Sequence, residues 1–219
     1  YCAALLDALR NMGVAILGER VSHIEDGTVT TDAATYTADM VYLCNGLGAG
    51  QVRGWYEGEK SPLKLRPVRG DMLRLRVPEG MEPPVGRVIR GFVEDRPVYI
   101  IPRTDGTIAV GATSREDARR GPAVDGVYTL LRDAIRIVPG IQECEFIEAI
   151  TGERPGTPDD LPYLGKIGEK LVISTGYFRH GILLSALGAT VGAALGMGQP
   201  VPTLEPEIDL ASCAPLRHA

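Results

Sequence analysis

The chain has 219 residues, of which 44% are apolar and 23% charged, and a formal net charge of −5. That is the composition of a globular protein long enough to bury a core, and no apolar run approaches the roughly 20 residues that span a bilayer. The negative balance and the lack of any Lys/Arg-rich block argue against a broad nucleic-acid surface, and leave small molecules or proteins as partners.

Tyr1 to Met12 carries Ala4, Leu5, Ala8 and Leu9 on one helical face, with Gly13 as the stop. A helix that begins at the first residue suggests that sequence precedes it. Strands are expected at Val14–Leu17, Arg20–Ile24 and, after the Asp26-Gly27 turn, Thr28–Thr31. Met40–Cys44 is a continuous apolar run, as expected of a strand covered on both faces. It ends in Asn45-Gly46-Leu47-Gly48-Ala49-Gly50, a tight turn whose spacing is not that of a G-x-G-x-x-G phosphate loop.

After Trp55 the character changes. Strand-length segments at Pro67–Arg76, Gly86–Phe92, Pro97–Pro102 and Thr107–Ala112 are punctuated by Pro78-Glu79-Gly80 and Thr104-Asp105-Gly106, which reads as a mostly antiparallel sheet. Leu73, Leu75 and Val77 alternate with Arg74 and Arg76, giving one core face and one polar face. Val127–Val138 is a clean amphipathic helix closed by Pro139-Gly140, and Glu143–Thr151 is a further strand. Gly152 to Pro162 is too rich in Pro and Gly to be regular. Leu171–Ile173 is a short strand that runs through Ser174–Ser185 into a helix reaching about Gly196, and residues from Pro200 onward lack periodicity and are expected to form a loosely ordered tail.

Little in this pattern supports acid–base or metal chemistry. Cys2, Cys44, Cys144 and Cys213 are far apart, without C-x-x-C, and His23, His180 and His218 are scattered, so neither zinc nor a disulfide framework is indicated. With no secretory leader over residues 1–17, a cytoplasmic protein is expected. G-x-S-x-G, H-E-x-x-H and P-loop motifs are all missing, and no nucleophile–base pair stands out. Two arginines occupy special backbone: Arg154 in G-E-R-P-G-T and Arg179 in Y-F-R-H-G. Each can fork onto a carboxylate or phosphate. For Arg154 a second reading stands beside this one, an ion pair with Glu153, Asp159 or Asp160 of its own loop. Tyr99, in R-P-V-Y-I-I-P-R, can bury its ring and offer its hydroxyl to a carboxylate, or simply belong to the core. Thr113 and Ser114 could line the same cavity. His180 is as fit to brace its turn as to move a proton.

Four motifs occur in a familiar order. They are P-V-R-G-D-M-L-R-L from Pro67, Y-I-I-P-R-T-D-G-T-I-A-V-G-A-T from Tyr99, G-E-R-P-G-T-P-D-D-L-P-Y-L-G from Gly152 and S-T-G-Y-F-R-H-G-I-L-L-S from Ser174. Together they resemble the FAD-dependent D-amino-acid oxidase superfamily, and most closely its glycine oxidase branch, which serves thiamine biosynthesis. The resemblance covers residue 1 to about 198. It implies an α+β fold, with an antiparallel-sheet substrate domain flanked by partial α/β segments of an FAD-binding domain. The corresponding segments are 1–54 (partial FAD-binding), 55–150 (substrate sheet), 151–199 (FAD-binding return) and 200–219 (tail).

By the same resemblance Arg154 pairs with the substrate carboxylate, Tyr99 hydrogen-bonds it, and Arg179 stands near the substrate. Val21 touches the adenine end of FAD, Gly46 lies in a turn close to the cofactor, and Tyr177, Phe178, Arg179, His180, Gly181, Ile182 and Leu183 form the turn against the isoalloxazine, with the positive end of the helix after Gly181 facing the reduced ring. The implied reaction moves hydride from the Cα of a small amino acid to the flavin, and O2 reoxidises the flavin with release of peroxide. No acid–base side chain is required. A homo-oligomer is left open.

The chain departs from the family where a pyrophosphate-binding G-x-G-x-x-G unit is expected. It is therefore expected to be a carboxy-terminal portion of an oxidase, inactive alone and binding FAD weakly or not at all. His180 replaces an asparagine usual in glycine oxidases, and Pro97 and Ser114 stand where bulkier residues often occur, so the substrate stays open. Alternatives are a sarcosine-type amine oxidase or dehydrogenase, and a non-catalytic fragment.

Overall fold

The computed structural model describes residues 1–202 and 209–219, which divide between two units. In chain order the elements are α1 (Cys2–Asn11), β1 (Val21–Glu25), β2 (Thr28–Thr31), β3 (Thr35–Thr37), β4 (Val41–Leu43), β5 (Arg66–Arg76), β6 (Ile89–Val93), β7 (Arg96–Pro102) and β8 (Thr107–Gly111). They continue with α2 (Val124–Ile137), β9 (Glu145–Gly156), β10 (Tyr163–Ile167), β11 (Leu171–Thr175) and α3 (Ser185–Gly196). One unit comprises Tyr1–Lys64, Tyr163–Thr175 and Ser185–Ala219, and the other Leu65–Pro162 and Gly176–Leu184.

The first unit holds two small sheets, one ordered β1-β2-β3 and antiparallel, the other β10-β11-β4 with β4 parallel to β11. Several expectations change here. Val14–Leu17 forms no strand. Its apolar side chains find no pairing partner, and Val14, Ile16 and Leu17 stay exposed. The β4 run is covered more on one face than on the other: Leu43 is buried and Val41 half-buried, while Tyr42 between them is exposed. The glycine-rich turn after it winds into a 3-10 helix, Gly46–Gln51. β10 falls in a stretch with no expected strand, and it owes its place to pairing with β11 along its full length.

The tail is not loose over its described part. Pro215 packs on Gly165 of β10, the His218 ring nitrogen Nδ1 lies 2.9 Å from the Tyr163 hydroxyl, and the Arg217 guanidinium stacks 4.2 Å from the Tyr163 ring centroid. Residues 203–208 of the expected tail lie outside the described residues.

The second unit is a five-stranded antiparallel sheet, ordered β6-β7-β8-β5-β9, with α2 against one face. Leu73 and Leu75 of β5, Val98 and Ile100 of β7, and Ile108 and Val110 of β8 all project toward α2, where Leu130 and Ala134 close the core. β9 runs through Gly156, although Gly152-Glu153-Arg154-Pro155-Gly156 promised irregular backbone. It is an edge strand, so Pro155 breaks no second ladder by lacking an N–H. The register keeps β9 paired with β5 from Glu145 to Gly156, and this pairing is why residues 151–162 group with the sheet and not with the segment that follows. Residues 55–64, by contrast, group with the first unit.

Asp71 is fully buried beneath this sheet. Its carboxylate accepts hydrogen bonds from Arg115 (Nη2, 3.1 Å), Thr151 (Oγ1, 2.7 Å) and the Ala123 backbone N–H (3.3 Å), tying β5 and β9 to the start of α2. Burial opposes ionisation, but these bonds outweigh it and hold the carboxyl below its ordinary value of 3.8. A depressed folded pKa stabilises the fold above the unfolded value and is lost as pH falls through the folded one. Stability should therefore fall on acidification below about 3.8, with a smaller slope in Asp71→Asn, measured by urea unfolding across that range. Identical slopes would mean Asp71 does not titrate with folding. In the core, Leu73→Ala should cost about 2–5 kcal/mol, because a fully buried leucine leaves a cavity. A loss under about 1 kcal/mol would place Leu73 outside the core that holds the sheet.

Candidate functional site

Residues directly opposite in antiparallel strands project from the same face. The register therefore lines up Tyr99 of β7, Gly111 of β8, Met72 of β5 and Ile150 of β9 in one row, on the face away from α2. Arg154 pairs with Val68, an even number of residues along from that row, and so rises from the same face as Tyr99. The sheet brings together two residues that lie 55 positions apart in the sequence.

Neither side chain stands upright. The end of the Tyr99 ring lies over Gly111, where an added Cβ would sit 2.5 Å from the hydroxyl oxygen, and the Arg154 guanidinium lies over Gly70, where an added Cβ would overlap it. Arg154 is partly buried, and its Nη1 is fully buried with no hydrogen-bond partner. Burial above all, and then the like charge of Arg179, push its pKa down, while Tyr99 and Asp71 act in the opposite sense.

The carboxylates that an ion pair within its loop would require are engaged elsewhere. Glu153, on the opposite side of the strand, pairs with Arg69 at 2.6 Å, and Asp160 pairs with Arg66 at 2.6 Å. Asp159 accepts from the Thr157 hydroxyl and the Leu161 N–H, both at 3.1 Å. Among the described residues Arg154 forms no ion pair.

Arg179 comes from the turn Gly176–Leu184. Phe178 takes a left-handed φ of 49° and donates its backbone N–H to the carbonyl of Pro155, one residue beyond Arg154, at 3.1 Å. The guanidinium groups of Arg66 and Arg179 lie 5.9 and 5.4 Å from the Phe178 ring centroid. The turn is thereby anchored to β9, with Arg179 exposed and without an ion pair among the described residues. His180 is exposed; its backbone N–H bonds the Tyr177 carbonyl at 2.9 Å and its carbonyl receives the Leu184 N–H at 2.8 Å, as for a residue bracing a turn. Gly181 is exposed, and Ile182 and Leu183 are 77% and 79% exposed. The helix expected directly after Gly181 begins at Ser185, after this separate turn.

In the first unit, Val21 lines a cavity of about 530 Å³ with Arg20, Asn45, Gly48, Gln51 and Arg53. Gly46 opens the 3-10 turn at φ +60°, and its carbonyl accepts the Thr175 hydroxyl at 2.9 Å. Val21 and the glycine turn thus share one cleft wall, whereas Tyr177–Leu183 belong to the other unit.

Two features escape a reading of residue types. Thr113, expected to line a cavity, instead accepts the Asp71 backbone N–H with its hydroxyl at 2.8 Å and faces α2. Gly70 and Gly111 lie under the Arg154 and Tyr99 side chains but are no more than strand glycines by pattern; an isolated glycine inside a strand marks a close approach, and that is the available signal. Among the described residues no group of His, Cys, Asp and Glu could hold a metal ion, and no helix is long and apolar enough to cross a membrane.

Comparison with known proteins bears on this geometry. The FAD dependent oxidoreductase family, DAO, matches residues 1–195. The bifunctional protein ThiO/ThiG of Synechocystis sp. is 36% identical over 212 residues, covering 92% of this chain and 30% of that protein. Glycine oxidase of Geobacillus kaustophilus is 32% identical over 193 residues, covering 86% of this chain and 47% of that enzyme. The crystal structure of glycine oxidase from Geobacillus kaustophilus superposes with a TM-score of 0.80 at 29% identity, over 99% of this chain and 57% of that one. L-proline dehydrogenase from P. horikoshii, at 16% identity and a TM-score of 0.78, shares the fold. The chain therefore spans between 30% and 57% of the length of these relatives. A family match over nearly the whole sequence makes this chain a member of the FAD dependent oxidoreductase family.

Proposed function

We propose that the full-length protein is a flavin-dependent oxidase of a small amino acid, similar to glycine oxidase and serving thiamine biosynthesis. The amino acid would be converted to an imine, which water hydrolyses to an oxo acid and ammonia, while O2 is reduced to peroxide. One observation carries this reading. The partly buried guanidinium of Arg154 has an unpartnered N–H and no carboxylate of its own, on the same sheet face as the Tyr99 phenol and beside the like charge of Arg179. A desolvated cation without a counter-ion costs stability. A ligand carboxylate removes that cost, so the site favours an anion that brings its own charge.

Within the ligand, Arg154 would bind both carboxylate oxygens through its fork, and Tyr99 would donate its hydroxyl to one of them. Two fixed contacts from opposite sides leave the Cα with few orientations, which is the positioning that oxidation at that carbon needs. Arg179, supported by the Phe178 ring, adds positive potential at the rim. No side chain on this face is assigned a proton.

The chain's residues also fit a flavin dinucleotide. The Val21 cleft offers the cations Arg20 and Arg53 beside a glycine turn, and the Tyr177–Leu183 turn presents Ile182 and Leu183 as apolar surface. Taken unit by unit, Val21 and Gly46 are assigned to it in the first, and residues 177–183 in the second. When bound, the flavin supplies two-electron oxidation and reaction with O2.

In the full-length protein, Arg154→Lys should raise the KM for a small amino acid about tenfold or more, because an ammonium cannot reproduce the two-point fork. An unchanged KM, with peroxide release as the assay, would remove Arg154 from the substrate site. Arg154→Met should bind substrate poorly yet unfold at higher temperature than the wild type, since it replaces an unpaired, partly buried cation with an apolar side chain of similar length. A lower Tm would show that the guanidinium has a stabilising partner in the fold.

A further inference from the structure

Arg154 and Tyr99 reach their places by crossing a strand. Arg154 belongs to β9 but its guanidinium lies on β5 at Gly70; Tyr99 belongs to β7 but its phenol lies on β8 at Gly111. The two side chains lean toward one another across the inner pair of strands. Each occupies the volume that a Cβ would take.

Neither glycine sits at a positive φ, and what each supplies to the side chain above it is space. Gly152 makes the contrast. It lies directly opposite Gly70 on β9, and a Cβ there would meet nothing within 4 Å. A glycine to alanine change inside a strand is ordinarily neutral to stabilising, because the unfolded chain loses freedom.

We infer that Gly70 and Gly111 are positioning residues of the carboxylate site: they set the height and tilt of Arg154 and Tyr99, and so the place where the two donors converge. A methyl at 70 must lift the guanidinium off the sheet, because backbone lies beneath it. A methyl at 111 must swing the phenol aside. The inference rests on the reading that Arg154 binds a carboxylate, and its test separates the two.

Acetate, a carboxylate that is not oxidised at this site, serves as the probe, titrated calorimetrically into the full-length flavoprotein. Gly70→Ala should weaken acetate binding about tenfold or more, and Gly152→Ala should leave it within about twofold of the wild type. If Arg154→Lys loses acetate while Gly70→Ala keeps it, the glycine has no positioning role and the carboxylate reading stands. If Arg154→Lys binds acetate as the wild type does, the carboxylate reading itself fails.

Thermal unfolding supplies a second measurement that does not depend on ligand. Gly70→Ala should lower Tm in the wild-type background and leave it unchanged in an Arg154→Met background, where a flexible thioether can yield to the added methyl. An equal loss in both backgrounds would trace the effect to the strand and overturn the inference. Should Gly70→Ala fail to fold, Gly111→Ala carries the same test: its loss of acetate binding should be tenfold in the presence of Tyr99 and absent in a Tyr99→Ala background.

Discussion

The antiparallel pairing of β5 with β9 is the constraint from which the rest of the second unit follows. β5 alternates core leucines with polar residues, and a partner strand in any other register would present different side chains beside them. With Arg66 opposite Gly156, Thr151 comes within reach of Asp71 on one face and Arg154 comes to rest over Gly70 on the other. A slip of one residue would send Arg154 into the α2 core and turn Glu153 onto the site. The same pairing seats Pro155 where its carbonyl receives the Phe178 N–H, so the turn that carries Arg179 inherits its position from the ladder.

The two faces of this sheet differ in how completely their buried charges are paired. On the α2 side every buried carboxylate is answered: Asp71 by Arg115, and Asp133 by Arg96 and Arg132, with the exposed Glu94 joining Arg96 and Arg136. Such networks satisfy the desolvated groups and fix how the helix lies on the strands. On the other face Arg74 pairs with Glu148 and Arg66 with Asp160, whereas Arg154 and Arg179 meet no carboxylate among the described residues. A partly buried arginine with a like charge beside it and no counter-ion is costly to keep, and that cost is the physical basis of the proposed carboxylate site.

Much of the fold was legible in residue order. The alternation of Leu73, Leu75 and Val77 with arginines gave the sheet and its core face, and the spacing from Val127 to Val138 gave α2, because period-2 and period-3.6 patterns report burial directly. Composition misled where pairing decided. Gly152 to Gly156 reads as loop by its Pro and Gly content, yet it is strand because β5 offers a ladder along its whole length. Val14–Leu17 reads as strand, yet it is not one, because no strand among the described residues pairs with it. The candidate site residues at 99, 154 and 179 were also visible, while the way the sheet arranges them was not. That depended on two strand glycines, whose contribution is empty volume, and volume has no signature in a residue's own chemistry.

The interleaving of the two units has a consequence for biosynthesis. Unit two is nearly continuous, and its sheet closes once β9 emerges, 80 residues after Asp71 by the contact with Thr151. Unit one waits longer: β4 has no partner until β11 is made, and Gly46 meets Thr175 across 129 residues. On the ribosome the inserted sheet can therefore be complete while β4 still lacks its partner. The hazard in making this protein lies in that interval, when the unpaired strand is available to neighbouring chains. Conditions that slow elongation between β4 and β11 should lengthen the interval.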